Sequence, residues 1–149
     1  MVDSLQIDAG NIRLSINNDE NRIVEFNPND VLFVEKFYVL LQEYTEKIEG
    51  YQKRAKTLEA SEGINDLGVP INTPDRIQLL REVCVYTREK IDYVFGEGTS
   101  QIAFGEALNI DMFTQFFEGI VPFIEKTRSE KIKKYITAGI KSRSNERTS

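Results

Sequence analysis

"FNPNDVLFVEKFYVLLQEY", Phe26 to Tyr44, is where the apolar residues change period. Before it, Leu5 and Ile7, then Ile12, Leu14 and Ile16, then Val24 and Phe26 alternate with polar neighbours, and "AGN" and "NNDEN" separate the runs as turn material. Period-two alternation predicts two or three short antiparallel strands over 5–26, apolar on one face. Two strands alone are marginal in water, so this small sheet must pack on something else.

Within "FNPND", Asn27 is a good N-cap, Pro28 suits the first helical position, and Asp30 adds negative charge to the first turn. A helix over 28–60 follows. Val34, Phe37, Leu41, Tyr44, Ile48, Tyr51, Ala55 and Leu58 form a three-four seam. Val31, Leu32, Phe33, Val39 and Leu40 widen the stripe near the start, which predicts a well-buried first half. The second half keeps only the seam and is expected to project from the core or to meet another chain.

"EGINDLGVPINTPD" breaks the pattern with glycines, prolines and Asn/Asp, and reads as a loop. Thr73 and Pro74 look like an N-cap and first-turn pair for a helix over 74–95, with a seam of Ile77, Leu80, Cys84, Thr87, Ile91 and Val94. Two long helices with matching seams and a short connection predict an antiparallel αα-hairpin. After a joint at 99–105 comes a helix over 110–137, capped by Asn109 or Asp111. Gly119 and Pro122 inside it predict a kink or a split. The fold class expected is α+β, mainly α: a hairpin or small sheet packed on a long αα-hairpin and a kinked C-terminal helix. It forms one domain over 1–137, and 138–149 is a disordered basic tail.

The 149 residues suit one domain able to bury roughly 68–70% of its unfolded surface, so disulfides and metals are not needed to hold it. Cys84 is the only cysteine, which excludes an intrachain disulfide and suits a reducing compartment. "MVDSLQIDAGNIRL" lacks the apolar core of a signal peptide, and no apolar run approaches the ~20 residues of a membrane span. The expectation is a protein that is neither secreted nor membrane-bound.

The formal net charge is −5 but uneven: from Arg128 onward seven Lys/Arg face two Glu, while the preceding residues hold twelve Lys/Arg and twenty-two Asp/Glu. An acidic body disfavours nonspecific nucleic-acid binding. The basic end is a solvated terminus, a contact for an acidic partner or nucleic acid, or a dock for the acidic body of a neighbouring copy.

Catalytic chemistry finds little support. There is no histidine, which removes Ser-His-Asp catalysis and most zinc sites. Cys84 lies on an apolar seam, where a thiol is buried and inert. "VFGEGTSQIAFGE", Val94 to Glu106, resembles a phosphate loop at first sight. It has no lysine, has Gln101 where a dinucleotide motif needs glycine, and follows a helix rather than a strand. It reads instead as a helix–turn–helix joint. Gly96 or Gly98 ends the preceding helix, Thr99 or Ser100 caps the next turn, Gly105 ends it, and Phe95 and Phe104 anchor it. No cofactor or metal is expected, and the chain is read as non-enzymatic.

Phe113, Phe116, Phe117 and Phe123 cluster on one segment. Core is the default for them. Where exposed at a kink, they are candidate protein contacts, as are Tyr44 and Tyr51 on the long helix.

"FNPND" opening "VLFVEKFYVLLQEY", then "IDYVFGEGTSQIAFGE", then "MFTQFFEGIVPFIEK", resembles the tail assembly chaperones of long-tailed phages and prophages of Gram-positive bacteria. The resemblance runs from about Leu5 to Tyr135. It implies a host-cytoplasmic, non-catalytic protein that coats the tape measure protein before the major tail tube protein polymerises around it. It also implies self-association into oligomers or spirals. An alternative is a structural protein of the virion, such as a connector or tail-completion protein. A small enzyme or nucleotide binder using the glycine loop is a third.

Overall fold

A computed structural model describes residues 1–61 and 63–148, with side chains described outside 59–61 and 131–148. The order is β1 (Ile12–Ile16), β2 (Asp19–Phe26), α1 (Val31–Ser61), α2 (Thr73–Phe95), α3 (Thr99–Phe104) and α4 (Ile110–Thr148). The fold is α+β and mainly α. The expected disordered tail at 138–149 lies outside the described side chains.

β1 and β2 form an antiparallel hairpin. Asn17 and Asn18 have φ of 53° and 62°, the pair of positive values that a type I′ turn demands and that asparagine tolerates. Leu14 pairs with Val24 and Ile12 with Phe26, so one face carries the apolar set. The register shifts between Ser15 and Ile16, which leaves extra residues on β2 and re-aims Arg22.

Of the two or three strands expected, two form, and none forms around Leu5 and Ile7. Residues 1–11 have no regular structure, and both side chains are 82% exposed. Gly10 has φ +80°, and a Cβ there would collide with the Asn29 side-chain amide. That amide donates to the Gly10 carbonyl, and Asn27 donates to the carbonyl of Ala9. The segment is latched to the β2–α1 corner instead of pairing with β1.

The cap of α1 also differs from expectation. Asn27 Oδ1 accepts from the Asn29 N–H in a turn, and Asp30 Oδ1 accepts from the Leu32 N–H while its carbonyl accepts from Val34. Asp30 is therefore the N-cap, and "NPN" forms the turn before it. On α4, Asn109 is the cap, accepting from the N–H groups of Asp111 and Met112.

α1 is the central element. Lys36 lies over the Tyr93 ring, Lys47 over the Tyr86 ring, and Asn72 hydrogen-bonds the Leu58 carbonyl. Residues rising along α1 meet residues falling along α2, so the two are antiparallel. α4 lies antiparallel on another side: Tyr44 donates to the carbonyl of Ile110, and Tyr38 hydrogen-bonds Glu125. α4 is continuous through Pro122 and is not split. The carbonyl left without a partner belongs to Glu118, an exposed residue that water can satisfy.

The α1 seam is half-buried or buried throughout. Its widening is not: Phe33 and Leu40 are buried, but Val31, Leu32 and Val39 are 76%, 65% and 50% exposed. On α2, Ile77 is exposed, and the buried stripe begins at Leu79 and Val83 before joining Cys84, Thr87 and Ile91. The stripe follows the 3.6-residue turn rather than a strict three-four seam. Among the described residues no helix is long and apolar enough to cross a membrane.

Candidate protein-interaction site

Most of the aromatic set is core. Phe113 is 0%, Phe117 4% and Tyr44 8% exposed, so none of the three is available as a contact surface. The Phe117 ring meets Tyr44 at 5.0 Å, tilted, and Phe37 at 6.2 Å, edge to face. Tyr44 also shares a 2.9 Å hydrogen bond with Thr114, and burial pushes its pKa up. Phe116 is half-buried, with Phe95 at 5.1 Å and Phe104 at 5.4 Å. Each buried phenylalanine is worth about 1.5–3 kcal/mol by area, and edge-to-face pairs add about 0.5–1.5 kcal/mol. That sum explains why the cluster faces inward. Phe123 is 37% exposed, and Tyr51 is half-buried in the α1–α2 cleft.

The glycine-rich joint is a mechanical part. Gly96, with φ +117°, ends α2, and Gly98, left-handed at φ +88°, starts α3. Thr99 Oγ1 donates to the Gly96 carbonyl at 2.8 Å, and Gly105 closes the helix by donating to Gln101. Phe104 meets Phe113 at 4.8 Å, and Phe95 touches the rings of Phe26, Phe33, Phe37 and Phe116.

Three charged residues clamp this joint. Asp92 accepts from the Ser100 N–H at 2.8 Å and the Ser100 hydroxyl at 3.0 Å. Arg22 donates to the carbonyls of Ile102 and Ala103, both at 2.9 Å. Arg88 donates to the Ala107 carbonyl at 2.8 Å. An acid at the amino end of α3 and a cation at its carboxyl end match the helix dipole. A carboxylate thus occupies the place a phosphate would need. Sequence reading missed all three; the one local signal was Arg88 and Asp92 one turn apart on the helix entering the joint.

Cys84 is fully buried, and burial pushes its thiol pKa up, away from reactivity. Among the described residues no group of three His, Cys, Asp or Glu is arranged to hold a metal.

Two groups of exposed apolar side chains stand out, at two places on the αα-hairpin. One is a groove of about 310 Å³ between α1 and α2, lined by Leu32, Val39, Leu40, Tyr93 and Val94. Leu32 and Tyr93 are each 65% exposed. Leu32, Lys36, Val39 and Glu43 recur on α1, and Tyr86, Lys90 and Tyr93 on α2, so apolar and charged groups alternate along both walls. Lys36 and Lys90 sit over the Tyr93 ring at 5.0 and 5.6 Å. The Tyr86 hydroxyl donates to Glu43 at 2.6 Å, bracing the walls.

The other is the loop joining the two helices. Asn65 Oδ1 accepts from the N–H groups of Leu67 and Val69, and Ile64 bridges Pro70, so the loop is a small ordered turn. It presents Ile64, Leu67 and Ile71 at 68%, 88% and 56% exposure. α1 rises about 1.5 Å per residue, so loop and groove lie on the order of 40 Å apart.

No curated protein and no solved structure matches the chain. A profile covering residues 18–149 does match, and by it the chain belongs to DUF6673, a family of unknown function.

Proposed function

We propose that this chain is a non-catalytic assembly chaperone that binds an apolar helix of its partner in the α1–α2 groove. The observation that carries the reading is that groove. Its walls are two long helices, its floor is Leu40 and Val94, and its exposed residues are Leu32, Val39 and Tyr93. Helix-in-groove recognition uses this geometry: apolar anchors at helical spacing, with charges at the rim to set register. A second apolar patch at the hairpin tip supplies a separate contact, as a protein repeating along a rod requires.

Together with the sequence resemblance, these features support a phage tail assembly chaperone. The partner is then the tape measure protein, whose long helix needs its apolar face covered until the major tail tube protein assembles in the host cytoplasm. The chaperone uses no cofactor and binds neither nucleic acid nor membrane. Co-expression with the tape measure protein and pull-down tests the reading. Capture that Val39→Asp abolishes supports it; capture indifferent to Val39→Asp and to Tyr93→Ala overturns the groove. Mass spectrometry of purified virions separates the alternative. A chaperone is missing or scarce there, whereas a connector or tail-completion protein is present in fixed number.

A further inference from the structure

The amino-terminal arm carries apolar residues that nothing among the described residues covers. Val2 is 94% exposed, and Leu5 and Ile7 are 82% exposed each. Ser4–Asp8 alternates polar and apolar, as a strand with one buried face does. Its root is tied by Asn27 and Asn29 to the corner after β2. The Asp8 carboxylate also accepts from the Gly10 N–H at 2.9 Å, which fixes the turn at the root. To pair with its own β1 the arm would have to release these bonds.

Among the described residues β1 pairs only with β2, so its other edge offers backbone groups to a further strand. Beside that edge lies a second groove, of about 350 Å³, whose walls include Leu14 and Ile16 of β1 and Met112, Phe116 and Gly119 of α4. Gly119 has no side chain and nothing near its Cβ position, which keeps the α4 wall open.

We infer that the arm of one copy adds as a third strand to the free edge of β1 in a second copy. The two segments match in length, five residues each, and in period. An antiparallel register that sets Asp8 beside Arg13 puts opposite charges together on the solvent face. The same register places Gln6 beside Ser15, and Ile7 and Leu5 beside Leu14 and Ile16, over the groove. Main-chain hydrogen bonds then supply affinity, and the apolar pair supplies register. Association of two copies is bimolecular and so depends on concentration, and the entropy cost of ordering the arm keeps it weak. The inference rests on the arm, β1 and α4; it shares no residue with the α1–α2 groove and survives failure of the partner reading.

The test uses the full-length chain. Gln6→Cys in one preparation and Ser15→Cys in another, with distinguishable tags, are mixed and oxidised; Cys84 is fully buried and does not compete. A disulfide joining the two tags is expected, and adding Leu5→Asp and Ile7→Asp to the Gln6→Cys chain abolishes it. The unaltered chain is expected to rise in mass with concentration on sedimentation, and the arm variant Leu5→Asp/Ile7→Asp, carrying no added cysteine, is expected to lose that rise. These arm residues are exposed, so the fold is not at risk. Three results overturn the inference: no disulfide between the tags, an unchanged mass profile for the arm variant, or closure of Gln6→Cys onto Ser15→Cys within one doubly substituted chain at high dilution.

Discussion

Asp92, in the last turn of α2, holds Ser100 at the start of α3 by two hydrogen bonds, one to the backbone N–H at 2.8 Å and one to the hydroxyl at 3.0 Å. Ser100 is 3% exposed, so water cannot replace the lost acceptor. Asp92→Ala is therefore expected to cost about 1–3 kcal/mol, the penalty for stranding buried polar groups. Asp92→Asn keeps an acceptor and should cost less. The urea midpoint, with an unchanged slope, measures both. An unmoved midpoint for Asp92→Ala would show that the clamp does not stabilise the joint.

Phe117 and Phe123 sit six residues apart on α4 and should behave oppositely. Phe117 is 4% exposed with Tyr44, Phe37 and Phe116 around it, so Phe117→Ala is expected to cost about 3–5 kcal/mol. That is a large part of the total stability of about 5–15 kcal/mol for a domain. Phe123 is 37% exposed and, among the described rings, meets Phe26 alone, at 6.4 Å in a T-shaped pair. Phe123→Ala should cost roughly 1 kcal/mol or less, in the range of ordinary surface changes. Thermal denaturation of both variants checks the contrast; equal losses would contradict it.

The contrast between these two residues shows where sequence reading stops. Periodicity made the α1 seam and most of the α2 seam legible, because a helix must turn one stripe inward whatever it packs on. It could not separate Phe33 from Leu32, since both are apolar and only the position of the neighbouring helices decides. The alternation at Leu5 and Ile7 was real, but the Asn27 and Asn29 side chains decide where that segment goes. The glycine joint was legible because positive φ restricts the residue type. Its clamp was not: Arg22 meets Ala103 across 81 positions, and no local pattern records such a contact.

The Tyr86–Glu43 bond predicts a pH effect at the alkaline end. Accepting the Tyr86 proton places the Glu43 carboxylate against the phenol. This bond first, then burial and the carboxylate charge, push the pKa from 10.0 up to about 12. The folded chain therefore holds this proton more tightly than the unfolded one. The contribution to stability is fully present below pH 10.0 and is lost as pH rises towards about 12. Tyr86→Phe should be less stable than the unaltered chain at neutral pH, and the difference should shrink between these two values. Denaturant midpoints measured across that range test it; a difference that grows with pH would reverse the assignment.

Leu32, Val39 and Tyr93 make the last and most direct prediction, because they are apolar, exposed and outside the core. Replacing a core residue damages fold and binding together, whereas these changes should separate the two. Tyr93→Ala removes an aromatic anchor and the ring beneath Lys36 and Lys90. Anchors of this kind carry about 2 kcal/mol or more of interface energy, so partner affinity should fall by roughly thirtyfold. Val39→Asp places a charge where the partner's apolar face must pack and should abolish capture. The thermal midpoints of both variants should stay close to that of the unaltered chain, since surface substitutions usually change stability by less than about 0.5 kcal/mol. Titration of each variant with a helix of the proposed partner, the tape measure protein, beside its melting curve, gives both quantities. Lost binding with an intact fold marks the groove as the contact; retained binding moves the contact to the hairpin tip at Ile64, Leu67 and Ile71, which the same paired measurement can then examine.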